Sequence, residues 1–309
     1  MDFQDLLLQQ IINGLSLGAM YSLLALGFTM VYGIIELINF AHFNVFMVGS
    51  FFGLWVLEAT GLIGQRSTLE GLPLIGVLLL AFVCTMLLSG LLGIVIERAA
   101  LRSVRQLRGT APMILTIGIS YILYNVILLT VGADTHNFAN PIPVVKWQIG
   151  GAVLQLREVL LWSVSLVLMA GLHFFVRHTR IGKAMQATAQ DQEAARMMGV
   201  EVDRVVILAF FIGSALAGAA GLIFGLYYNF TSYVIGYSAG LRAFTAAVLG
   251  GIGNIAGAMI GGLIIGLIES LGGQFIAVRW TDVIIFSILI LVLVLRPTGL
   301  MGLSVPQKS

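Results

Sequence analysis

Arg177-His-Thr-Arg-Ile-Gly-Lys-Ala-Met-Gln-Ala-Thr-Ala-Gln-Asp-Gln-Glu-Ala-Ala-Arg-Met-Met-Gly-Val-Glu-Val-Asp-Arg204 is the longest polar interruption in a chain that is otherwise mostly apolar. Within it, Lys183 to Met198 consists almost wholly of strong helix formers and is flanked by Gly182 and Gly199, which predicts a short helix between two breaks. Ala184, Met185, Thr188, Ala189, Gln192 and Ala195 fall roughly at three-four spacing, while Lys183, Gln186, Gln190, Asp191 and Glu193 lie mainly elsewhere on the wheel. One face is therefore low and alanine-lined, which invites a partner's groove. An ordinary solvated loop helix is the alternative.

The sequence around this stretch has a mean hydropathy of +1.02, with 59% hydrophobic and only 10% charged residues over 309 positions. That is too little charge to solvate a globule of this size, so the chain reads as an all-α polytopic membrane protein. A net charge of +2 provides no electrostatic footprint for nucleic acid. The basic residues are grouped. Arg98, Arg102, Arg105 and Arg108 crowd one loop, and Arg177, Arg180, Lys183, Arg196 and Arg204 occupy another, which places both in the cytoplasm. The single Cys84 excludes an intrachain disulfide, and no Cys/His cluster has metal-ligand spacing. Asp2 and Asp5, rather than basic residues, open the chain, so no cleavable signal peptide is expected.

At about 20 apolar residues per crossing, eight spans are expected near 11–35, 40–60, 73–96, 111–132, 158–176, 205–229, 255–272 and 281–296. Loops 97–109 and 177–204 then lie inside. Loops 61–71 and 133–157, the segment from Thr231 to Ser238, and the N-terminus lie outside. The 133–157 loop reads as irregular, either a plain connection or a docking surface for an external protein. Gly213, Ala217, Gly221 and Gly225, and likewise Ala258, Gly262 and Gly266, form small-residue stripes for close helix packing. Asn125 could bond across helices, and Glu269 reads as interfacial.

Two places break the apolar pattern at membrane depth. Glu36-Leu-Ile-Asn-Phe-Ala-His-Phe-Asn44 sets Asn39, Phe40, His42, Phe43 and Asn44 where polar groups are expensive and so face protein or water. The segment either lines a passage or bonds a helix break. Ala243 to Gly251 is only half a span before Gly250, Gly251, Gly253 and Asn254 interrupt it, which suggests a half-helix entering from outside whose broken end meets a polar solute. A glycine hinge in a tight bundle is the alternative.

No phosphate cradle, nucleophile elbow, metal-binding histidine pair or paired carboxylates can be found, so neither nucleotide hydrolysis nor intramembrane catalysis has a candidate residue and no cofactor is expected. His42 and His173 lie on separate spans. Ion coupling would need buried charges, and Glu36, Glu58, Glu97 and Glu269 all fall at span ends.

Several of these stretches together resemble one family across nearly the whole chain. They are Asn13-Gly14 with Ala25-Leu-Gly27, Asn39-Phe-Ala-His42 after Tyr32-Gly33, Arg180-Ile-Gly-Lys183 leading to Glu193-Ala-Ala-Arg-Met-Met-Gly199, Ala247-Val-Leu-Gly-Gly251, and Arg296-Pro-Thr-Gly-Leu-Met-Gly302. The family is that of the permease subunits of ABC importers for branched-chain amino acids. The resemblance implies a single multi-pass permease domain over 1–309 in the bacterial inner membrane, with about eight spans, a half-helix and a cytoplasmic coupling segment at 177–204. It implies a second permease, two cytoplasmic ATP-binding subunits and a periplasmic or lipid-tethered solute-binding protein as partners. On this resemblance Arg180, Gly182, Lys183, Asp191, Glu193, Ala194, Ala195 and Gly199 belong to the ATPase-coupling segment, and Glu193, Ala194, Ala195 and Gly199 match the family's coupling motif. The family usually has Gly after Asn-Phe-Ala-His and commonly an acidic residue next, where this chain has Phe43 and Asn44, so a passage there would be narrowed or re-tuned. Related systems carry urea, short amides or other amino acids. A self-sufficient ion-coupled carrier or channel for a small polar solute is the competing reading.

Overall fold

The computed structural model describes residues 3–61, 71–104, 110–138 and 141–302. Arg105, Arg108, Asp2 and most of the 61–71 loop lie outside them. The elements are α1 (Phe3–Ile35), α2 (Ala41–Ala59), α3 (Leu72–Ile96), α4 (Arg102–Val104), α5 (Ala111–Thr130), β1 (His136–Asn137), β2 (Lys146–Ile149), β3 (Ala152–Gln155), α6 (Leu156–His178), α7 (Arg180–Gln190), α8 (Gln192–Met197), α9 (Val202–Tyr228), β4 (Phe230–Thr231), α10 (Ile235–Gly250), α11 (Ile255–Gly272) and α12 (Thr281–Leu295). A π turn over Glu97–Leu101 joins α3 to α4. Another, over Gly273–Ala277, followed by a 3-10 turn, joins α11 to α12.

Among the described residues, seven helical runs are long and apolar enough to cross a membrane, the last being Ile255–Leu295. That last run is not straight. Ala277 is extended, and Gly272 faces Ile284 across the bend, so it folds into the two expected segments, α11 and α12. The chain is thus an all-α polytopic membrane protein.

α1, α2 and α9 form the centre. Close approach there requires the missing side chains of glycine: a Cβ on Gly18 would stand 2.7 Å from the Leu263 Cα of α11. The α9 stripe serves three partners rather than one. Gly213 meets α1 at Gly27, Gly221 meets α2 at Phe46 and Ser50, and Gly225 meets the Phe138 ring. Around this centre α3, α5, α6 and α12 expose apolar side chains such as Leu79, Ile122, Val167 and Val294, as helices do where they face lipid or a second subunit.

The two ends of the bundle can be told apart. Arg102 pairs with Asp203 at 3.4 Å, joining both arginine-rich regions at one end, the one that the positive-inside rule assigns to the cytoplasm. At the other end Gly151 N and Val153 N donate to Asp5 Oδ1 and Gln9 Oε1, so the start of α1 is tied to the 133–157 loop. That loop is not irregular throughout: β2 and β3 form an antiparallel hairpin, and β1 pairs with β4. Asn125 stays within its own helix, donating to Tyr121 O.

Candidate functional site

The 177–204 segment departs from a single helix between glycines. It is two helices, α7 and α8, broken at Asp191, whose extended backbone and Oδ1 cap α8 by accepting from Glu193 N (2.9 Å) and Ala194 N (3.0 Å). The run of strong helix formers hides this break. The signal for it is an Asp two residues before Glu193, the ordinary pattern of a helix start. Gly182 lies inside α7 rather than before it, against the last carbonyls of α6, and Thr179 Oγ1 caps α7 by accepting from Gly182 N. Gly199 does end α8, in the left-handed region at φ +83°.

The segment is anchored to the membrane helices. Gln186 Nε2 donates to Val176 O of α6, and Gln192 Nε2 donates to Ile34 O at the end of α1, both at 3.0 Å. Only part of the small face points inward: Met185, Thr188 and Ala195 are buried in the chain's own bundle, Ala184 and Gln192 are half-buried, and Ala189 is exposed. The outward face instead carries Arg180, Lys183, Glu193, Ala194 and two methionines, Met197 at 88% and Met198 at 84% exposure. The prediction that an alanine-lined face meets a partner is therefore corrected for Ala195, which braces the segment from inside.

The polar interruption after α1 also acquires a shape. Glu36 takes a left-handed conformation (φ +52°), and residues 36–40 then run back alongside α1, so that α2 starts at depth. His42 Nε2 lies 3.2 Å from Leu24 O, and its ring sits against Gly27. Asn39 Oδ1 accepts from Ala41 N at the start of α2. Asn44 Nδ2 donates to Ser120 O (2.8 Å) and Ser120 Oγ (2.7 Å) of α5. Phe40 packs edge-on to Phe43, and Phe43 covers Gly240 of α10. These five residues are brought together, with Asn39, His42, Phe43 and Asn44 buried, and their polar groups are bonded to protein.

Gly250, Gly251 and Asn254 do not join that group. α10 begins at Ile235, earlier than the half-helix reading placed it, and its end reaches the C-terminal end of α1, where Gly253 faces Gly33. There the C-terminal turn caps it: Leu300 N and Met301 N donate to Leu249 O (2.8 Å) and Gly250 O (3.0 Å), and Asn254 Nδ2 donates to Met301 O (2.6 Å). The Ala247–Gly251 and Arg296–Gly302 stretches are thus two halves of one structure. Beside it opens a cavity of about 740 Å³ between the ends of α1, α6 and α7, lined among others by Glu36, His173, Arg177, Gln186 and Asn254.

Residues 10–293 match the family described as "Branched-chain amino acid transport system / permease component". The chain belongs to this family. It is 41% identical over 303 residues to the high-affinity branched-chain amino acid transport system permease protein LivH of Escherichia coli, covering 96% of this chain and 95% of that protein. It is 38% identical over 299 residues to BraD of Pseudomonas aeruginosa, with the same coverages, and 27% identical to a probable LivH of Methanocaldococcus jannaschii over 91% of this chain and 88% of that one. No solved structure matches.

One charge cluster of the permease was not anticipated from its sequence. Arg242 of α10 reaches Glu269 of α11 (Nη1 to Oε1, 2.7 Å), Asp282 of α12 (Nη2 to Oδ1, 2.9 Å) and the Tyr21 hydroxyl near the middle of α1 (3.3 Å). Glu269, near the end of α11 as expected, is an ion-paired side chain packed into the bundle, 14% exposed. A lone Arg in a stretch too short for a span carries no sign of carboxylates 27 and 40 residues further on.

Proposed function

We propose that the chain is the non-catalytic transmembrane subunit of an ATP-driven importer in the bacterial inner membrane. It would carry branched-chain or related amino acids by alternating access. Its partners would be a second permease, two ATP-binding subunits and a solute-binding protein. The observation that carries this reading is the α7–α8 segment. It presents Ala194, Met197 and Met198 to the cytoplasm while Gln186, Gln192 and buried Met185 and Ala195 lock it to α6 and α1. Large exposed methionines on a rigid cytoplasmic element are what a partner's cleft covers. A displacement of that element by nucleotide closure is carried into α1 and α6 through these bonds, which is how binding energy spent outside the membrane biases the two access states.

The cavity between α7 and the capped end of α10 is the space such a displacement would change. Residues 39–44 and the outer part of α10 would rearrange with it, since Phe43 and Gly240 are in contact.

The test substitutes the outward face in the assembled importer. Ala194→Trp and Met197→Asp are expected to abolish ATP-driven leucine uptake and co-purification of the ATP-binding subunit, while the permease remains in the membrane. Unchanged uptake by both variants would overturn the assignment.

A further inference from the structure

The Arg242 cluster sits where charge is costly and is incompletely satisfied. Arg242 has five N–H donors; Nε and Nη2 both go to the same Asp282 oxygen, Oδ1, and Nη1 goes to Glu269 Oε1 and Tyr21. One Nη2 N–H has no acceptor among the described residues. Glu269 Oε2 is buried and makes no hydrogen bond, although the Tyr21 hydroxyl stands against the same carboxylate. Asp282, by contrast, is 59% exposed, so its bond to the guanidinium is open to exchange. A desolvated carboxylate oxygen without a donor costs about 1–3 kcal/mol, which a ligand's donor would recover.

The cluster also opens onto a surface unsuited to lipid. α10 turns Gly236 and Gly240 toward α2 and leaves Tyr237 and Ser238 exposed, with Ser238 one turn before Arg242 on the same face. A hydroxyl pair in the first turn of α10, beside a half-satisfied ion pair, belongs against water or a polar solute.

We infer that Arg242 and Glu269 form a transit site for the zwitterionic head of an α-amino acid. The substrate carboxylate takes Arg242 in place of Asp282, through a paired guanidinium–carboxylate contact. In the access state that opens the cluster, the substrate ammonium donates to Glu269 Oε2, the oxygen that lacks a donor here. Such a site reads the part shared by all α-amino acids and leaves the side chain to be selected elsewhere. This rests on the importer reading above.

The complete importer in proteoliposomes provides the test, and ATP-driven leucine uptake by the unmodified complex is measured first. Its absence would count against the importer reading, not against the site. In a Cys84→Ala background, Ser238→Cys is then treated with an anionic thiosulfonate and labelling is read on this chain. The thiol is expected to react, to be slowed by leucine but not by leucinol, which lacks the carboxylate, and to lose the leucine effect when Arg242→Gln is added. An unreactive thiol, or one that leucine leaves unprotected, overturns the site. A second variant, Arg242→Gln with Glu269→Gln, removes the pair without leaving a lone charge. It is expected to lower uptake about tenfold or more through lost charge-assisted bonds while still co-purifying with its partners. Uptake near that of the unmodified complex would make the pair structural only.

Discussion

At Gly27 a Cβ would stand 2.5 Å from Gly213 O and 2.7 Å from the His42 ring, so the α1–α9 crossing and the seat of His42 both need a residue with no side chain. Gly27→Ala is expected to destabilise the permease by about 1–3 kcal/mol through overpacking, seen as a lower thermal midpoint in detergent; an unchanged midpoint would contradict the packing. Asn44→Ala removes both bonds to Ser120 and is expected to cost about 1 kcal/mol, the usual size of an interhelical bond in membranes, checked by the same melt. The sequence marked His42 and Asn44 as polar groups at depth, and left two readings open. The structure bonds both to protein, because expensive groups find the nearest acceptors and donors. Arg242 escaped attention for the opposite reason: its partners are distant in the chain and adjacent only in space.

Among the elements, the long spans were the most legible. Their apolar runs stand out from the polar breaks between them, and α2, α3, α5, α6, α9, α11 and α12 begin and end within a few residues of the expected limits. The α7–α8 break was not, since Ala, Gln, Met and Glu favour helix on both sides of Asp191 and only the side-chain cap stops it. Asp191→Ala is expected to destabilise the start of α8 by about 1 kcal/mol and to lower uptake, whereas Asp191→Asn, which keeps an acceptor, retains it. Equal uptake by the two variants would separate the cap from function. α10 was read too short because Gly236, Tyr237, Ser238 and Gly240 look like loop, yet those glycines are where it lies against Asn44 and Phe43.

Over the whole molecule, charge placement predicts which segments share an end, and the contacts group them so: the Arg102–Asp203 pair gathers the basic regions at one end, and the Asp5 and Gln9 bonds hold the start of α1 at the other. α10 links the two halves of the account, touching residues 43–44 at one end and the C-terminal turn beside the α7 cavity at the other. On the proposed reading the α7–α8 face is the part that a separate ATP-binding subunit pushes. The most direct measurement is leucine uptake into proteoliposomes holding either this chain alone or the chain with its second permease, ATP-binding subunits and loaded binding protein. The account predicts uptake only in the complete set, and only with ATP inside the cytoplasmic compartment. Uptake by the chain alone, driven by an ion gradient or by the solute gradient itself, would contradict it.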